Sequence, residues 1–114
     1  MRPRIKVVLE KDIENSFVRQ AKKLGCKTRK LNGTGYRSWP DRLILVPGGV
    51  TLFIEFKRPG EDLRPDQESL HEDAATIGHT WYTFDNWEGA IELVKSFLPQ
   101  RKTLKKRRVI TSND

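Results

Sequence analysis

Cysteine occurs once, at Cys26, and histidine twice, at His71 and His79, in a chain of 114 residues. A single thiol excludes an intrachain disulfide, and one thiol with two imidazoles makes no credible zinc-ligand set. A reducing, intracellular setting is the expectation. No apolar run approaches the roughly 18 residues needed to cross a bilayer, and no signal-peptide pattern is present, so no membrane association is expected. Neither a P-loop nor a dinucleotide fingerprint occurs, which argues against a nucleotide cofactor and against hydrolysis-driven motion. There is no internal repeat.

Basic charge is what the chain has in excess. It holds 22 Lys and Arg against 15 Asp and Glu, a net charge of +7 and a pI near 9.8, which points to a polyanionic partner. The excess is local, because Arg101, Lys102, Lys105, Lys106, Arg107 and Arg108 lie beyond Pro99 with a single acid after them. Residues 101–114 have no periodic apolar face and are expected to form a disordered basic tail. The remaining residues, 1–100, are 36% hydrophobic with the rest of the chain and suit one domain with one modest core.

Ile13, Phe17, Ala21 and Leu24 follow a helical stripe over about residues 10–24, closed by Gly25. Glu14 lies on the flank of that stripe, whereas Glu10 and Asp12 suit ordinary first-turn acids. Lys27–Leu31 reads as a strand, followed by a loop containing Gly33, Thr34 and Gly35. Residues 42–46 and 50–56 flank Pro47-Gly48-Gly49 and read as a β-hairpin. Pro65-Asp66 opens a second helix with Leu70, Ala74 and Ile77 as its apolar stripe and Gly78 as its end. Residues 80–84 form a further strand. Asp85-Asn86 caps a third helix with Ile91, Val94 and Leu98 periodic before Pro99. The order is αβββαβα in one α/β domain.

The chemistry concentrates in the hairpin. Alternation along the second hairpin strand puts Leu52, Ile54 and Phe56 on one face and Phe53, Glu55 and Lys57 on the other. Asp41, at the start of the paired strand, becomes a neighbour of Glu55 in space. Phosphodiester cleavage needs hydroxide at neutral pH and stabilisation of phosphoryl charge, and Mg²⁺ held by two carboxylates serves both needs. Asp41 and Glu55 are the candidate ligands, the Phe56 carbonyl a possible third, and Lys57 suits the nucleophile or the developing charge. An acid-x-Lys triplet is also what the wet face of an amphipathic strand looks like. This one is the only such triplet in the chain, and Pro40-Asp41 precedes it across one hairpin. Lys30, Arg37 and Trp39 lie just before that pair and Arg58 just after the triplet, as candidates to grip phosphate or stack on an exposed base. Trp81 and Trp87 suit core or interface positions.

An acid in helix one (Glu14, or Glu10), Gly33 and Gly35, Pro40-Asp41, Glu55-Phe56-Lys57 and Leu63-Arg64-Pro65-Asp66-Gln67, in this order, resemble the VRR-NUC family of the PD-(D/E)xK nuclease superfamily over about residues 10–98. The resemblance implies a restriction-endonuclease-like αβββαβ core with a C-terminal helix. It implies that Asp41 and Glu55 bind Mg²⁺, for which Mn²⁺ substitutes, that Lys57 assists the nucleophile, and that Gln67 and Glu14 complete the catalytic set. It further implies a homodimer acting on DNA, with four-way junctions as the expected substrate, in a phage or bacterial setting. The basic tail would then contact the DNA backbone. Trp39 stands where the family often has glycine, which bears on the shape of the DNA-facing loop. A non-catalytic DNA-binding protein of the same fold, or a nicking or flap nuclease dependent on a partner, is the alternative. Retention of Asp41, Glu55 and Lys57 together favours the enzyme.

Overall fold

A computed structural model describes residues 8–31, 35 and 37–99. Gly33, Thr34 and the six basic tail residues from Arg101 to Arg108 named above lie outside the described residues. Helix α1 (Glu10–Lys23) has acids in its first turn and Lys22 and Lys23 in its last, matching the helix dipole. It stops because Gly25, at φ +88°, takes the left-handed conformation open to glycine, so that the Cys26 and Gly25 amides donate back to the Ala21 and Lys22 carbonyls. Strands β1 (Lys27–Lys30), β2 (Arg42–Val46) and β3 (Val50–Phe56) follow, then α2 (Pro65–Thr76), β4 (Tyr82–Phe84) and α3 (Trp87–Ser96). The expected order holds, with β1 and β4 shorter than the sequence suggested.

The four strands form one sheet in the order β1-β2-β3-β4. β1, β2 and β3 are antiparallel, whereas β4 runs parallel to β3 because the α2 crossover returns the chain to the same end. The register pairs Arg42 with Ile54, Ile44 with Leu52 and Phe56 with Phe84, so these side chains share one face. Helices α1 and α3 cover that face. Phe17, Ala21, Ile44, Ile54, Ala90 and Val94 are fully buried there, and the Phe17 and Phe56 rings lie 5.2 Å apart. Asn86 caps α3 by accepting from the Gly89 amide.

The opposite face is covered only in part. Trp81 on the β4 side meets Trp39, Phe53 and His71 at ring separations of 5.1 to 5.9 Å, beneath α2. The β1–β2 side of the same face leaves Lys27, Arg29 and Leu45 exposed. One expectation for α2 fails here. Its stripe was to bury Leu70, Ala74 and Ile77, yet Ile77 is 76% exposed and only Gln67 and Ala74 are buried. Ile77 is the residue at which the helix terminates, just before the chain turns through Gly78 toward β4. Among the described residues no helix is long and apolar enough to cross a membrane.

Candidate active site

The hairpin register brings the start of β2 beside the end of β3, and with it Asp41 beside Glu55. Asp41 precedes β2 and is 7% exposed; its Oδ2 accepts the Phe56 amide at 2.7 Å, and its carbonyl accepts the Leu31 amide. Three adjacent strands thus fix this one residue. Glu55 and Lys57 lie two residues apart on one side of β3, as alternation requires, but they are not a wet strand face: they are 3% and 4% exposed. Ionisable side chains are seldom buried to this extent without a partner or a function.

Gln67 supplies what the strand cannot. Sitting in the first turn of α2 and 2% exposed, it donates from Nε2 to Glu55 Oε1 at 2.8 Å. Its own Oε1 accepts the Arg64 amide at 2.9 Å, which settles the direction in which the side-chain amide points. The other Glu55 oxygen, Oε2, is buried with no hydrogen-bond partner. Lys57 Nζ lies 3.8 Å from Glu55 Oε1 and also 3.8 Å from Glu10 Oε1.

The two acids of α1 divide their roles in a way the sequence did not indicate. Glu14, 7% exposed, accepts from Arg42 Nε at 2.6 Å, and Arg42 also reaches Thr28 Oγ1 at 3.3 Å. Its charge still acts on Asp41. Glu10, which resembled an ordinary first-turn acid, is the one that faces Lys57, and the neighbouring Glu61 carboxyl raises its proton affinity. Glu61 and Arg42 carried no signal in the sequence beyond their charge, because the α1 acids they act on, Glu10 and Glu14, are 51 and 28 positions away.

Lys30 and Arg37 are exposed, as phosphate contacts require, and Arg58 is exposed but paired with Glu61 at 3.1 Å. Trp39 is 40% exposed, with its ring tilted against that of Trp81 at 5.3 Å between centres.

Burial shapes the electrostatics. It raises Asp41 to about 6 against the opposing pull of the Phe56 amide. Burial, and then the charge of Asp41, pushes Glu55 up to about 8. Burial, and then the neighbouring Glu61 carboxyl, brings Glu10 to about 7. Each group holds its proton more tightly folded than unfolded, so stability is fully present below the ordinary carboxylate range and declines as pH rises through these values. The metal-free protein should therefore melt at a lower temperature at about pH 8.5 than at about pH 5. Glu55→Gln should flatten that decline, as read by differential scanning calorimetry in EDTA. A melting temperature that does not depend on pH, in both proteins, would contradict the burial of these charges.

No family profile matches the chain. A protein of Acyrthosiphon pisum secondary endosymbiont phage 1 described as "Putative nuclease p44" is 33% identical over 82 residues, which are 72% of this chain and 88% of that protein. A solved structure described as "VRR_NUC domain" superposes with a TM-score of 0.67 at 25% identity, covering 77% of this chain and 96% of the other.

The chain belongs to the VRR-NUC family of nucleases.

A second solved structure, described as "VRR_NUC domain protein", shares the fold at a TM-score of 0.64 and 16% identity, over 81% of this chain and 89% of its own. In this VRR-NUC nuclease the buried acids at the β2–β3 end suit a hard cation. The charge of Asp41 raises the proton affinity of Glu55, and a buried carboxylate oxygen of Glu55 lacks a donor. Among the described residues no three His, Cys, Asp or Glu side chains are grouped to hold one ion. Mg²⁺ does not require three, since it commonly binds through one or two carboxylates and keeps several waters. Asp41 and Glu55 would hold it, with the Phe56 carbonyl as the third oxygen.

Proposed function

We propose that this nuclease is a Mg²⁺-dependent DNA endonuclease that acts as a homodimer and selects branched DNA, above all four-way junctions. The observation that carries the reading is the buried pair Asp41 and Glu55, with Glu55 Oε2 unsatisfied and the Lys57 ammonium 3.8 Å from its other oxygen. When bound, Mg²⁺ supplies a Lewis acid for the phosphoryl oxygens and lowers the pKa of water.

The protein's own groups account for the remainder. The Phe56 amide orients the Asp41 carboxylate, and Gln67 holds Glu55 through Oε1 and leaves Oε2 without a hydrogen bond. Lys57 keeps its ammonium among acids inside the fold, where a cation acts on phosphoryl charge more strongly than in bulk water. Lys30, Arg37 and the basic residues beyond Pro99 would hold the phosphate backbone, and the exposed side of Trp39 suits stacking on an unpaired base.

Junction resolution requires two incisions related by approximate two-fold symmetry, while one chain carries one acidic site. A C₂ dimer supplies both at a fixed spacing. Exposed Trp39 and Ile77, beside an apolar cavity of about 350 Å³ lined by Phe53, Leu70 and Trp81, offer surface for such an interface.

The test combines sedimentation velocity at micromolar protein with cleavage of labelled junction in competition with linear duplex. A dimer that cuts junction first with Mg²⁺ or Mn²⁺, and not in EDTA, is expected. Full activity of metal-free protein overturns the metal assignment. A strict monomer cutting both DNAs equally overturns junction selectivity and leaves the site standing.

A further inference from the structure

Asp41 and Gln67 reach the site from segments that local structure does not join. Asp41 follows residues 37–40, whereas Gln67 stands on α2 after a long loop. Because only Gln67 and Ala74 of α2 are buried, apolar packing grips the helix in its C-terminal half. Its first turn is held by polar contacts that converge on one carboxylate. Ser38 Oγ donates to Asp66 Oδ2 at 2.9 Å, Arg64 Nε donates to Asp66 Oδ1 at 3.3 Å, and Arg37 Nε lies 3.6 Å from Asp66 Oδ2. Arg64 in turn donates from Nη2 to the Arg37 carbonyl at 2.8 Å, closing the ring.

We infer that Asp66 is a positioning residue: it clamps residues 37–38, which lead into Asp41, to the first turn of α2, and through Arg64 and Gln67 sets the orientation of Glu55. This rests on the nuclease reading above. The path is continuous, since the Arg64 that Asp66 holds uses its backbone amide to orient the Gln67 side chain that binds Glu55. A capping box needs the residue before the helix to accept a hydrogen bond, which an arginine side chain cannot do. Asp66 supplies the missing anchor from two positions further on. Its side chain is 38% exposed, so each contact alone adds little stability in water. Orientation is what the four contacts provide together, and catalysis is sensitive to small displacements.

An exposed acid with no such role would only repel DNA, and its removal would tighten binding without slowing turnover. Asp66→Ala is expected to lower kcat about tenfold while KM for DNA stays level or falls. Ser38→Ala, which leaves the helix sequence untouched, should act in the same direction and serves if the first variant does not fold. In a Gln67→Ala background, Asp66→Ala should add less than about twofold, since both act through the same amide. The Gln67 side-chain NH₂ signals in ¹⁵N-correlated NMR should move toward free-amide positions in both single variants. Unchanged kcat with tighter binding, or effects that multiply fully in the double variant, would overturn the clamp. If the wild-type protein cuts no DNA with Mg²⁺, the functional reading falls, and the Gln67 NMR signals alone decide the clamp.

Discussion

Asp41→Asn, Glu55→Gln and Lys57→Met should each lower the rate of Mg²⁺-supported cleavage at saturating DNA by about 10³, equivalent to about 4 kcal/mol of transition-state stabilisation. The three changes keep shape and remove charge. Asn at 41 still accepts the Phe56 amide, Gln at 55 still accepts from Gln67, and Met fills the volume of the Lys57 stem, so the fold around them is retained. Asp41→Asn and Glu55→Gln should raise the melting temperature of the metal-free protein above neutral pH, because each removes a carboxylate that burial makes costly to ionise. Loss of cleavage with a gain in stability separates a functional role from a structural one. If all three variants cut at the wild-type rate in quench-flow assays, the chemistry lies elsewhere.

Arg42→Met is expected to have the largest effect on stability. The Arg42–Glu14 pair is 2.6 Å long, with side chains only 17% and 9% exposed, and it joins α1 to the first residue of β2. Removing one partner of a buried pair leaves an uncompensated charge and costs about 3–5 kcal/mol. A domain of this size has only about 5–15 kcal/mol in total. Arg42→Met with Glu14→Leu removes both charges and should recover most of the loss, since an apolar replacement of a buried pair is often neutral or better. Urea unfolding monitored by tryptophan fluorescence gives both numbers. A single-variant loss below about 1 kcal/mol would mean that water reaches the pair and screens it.

Elements with strong local causes were legible without coordinates. The αβββαβα order followed from the 3.6-residue stripe of α1, the Pro47-Gly48-Gly49 turn and the Asn86 cap, each of which acts within a few residues. The juxtaposition of Asp41 with Glu55 followed from hairpin register alone. The α2 stripe misled at Ile77, since periodicity records apolar spacing and not how far the sheet extends beneath a helix. Gln67 has no periodic or local signal of its own burial and is one of the most buried polar groups, because its partner Glu55 belongs to another element.

What the sequence determined by itself is the set of elements and the types of chemical group available, two acids and a lysine on one hairpin, because backbone preferences and side-chain alternation are short-range. The tertiary structure decided which acid of α1 meets Lys57, that Arg42 takes Glu14, and that Ser38, Arg64 and Asp66 link the Asp41 loop to Gln67. Those choices depend on how α1 and α2 pack on opposite faces of the sheet. Side chains 28 to 51 positions apart then compete for the same few hydrogen-bonding partners, and no pattern along the chain encodes the outcome.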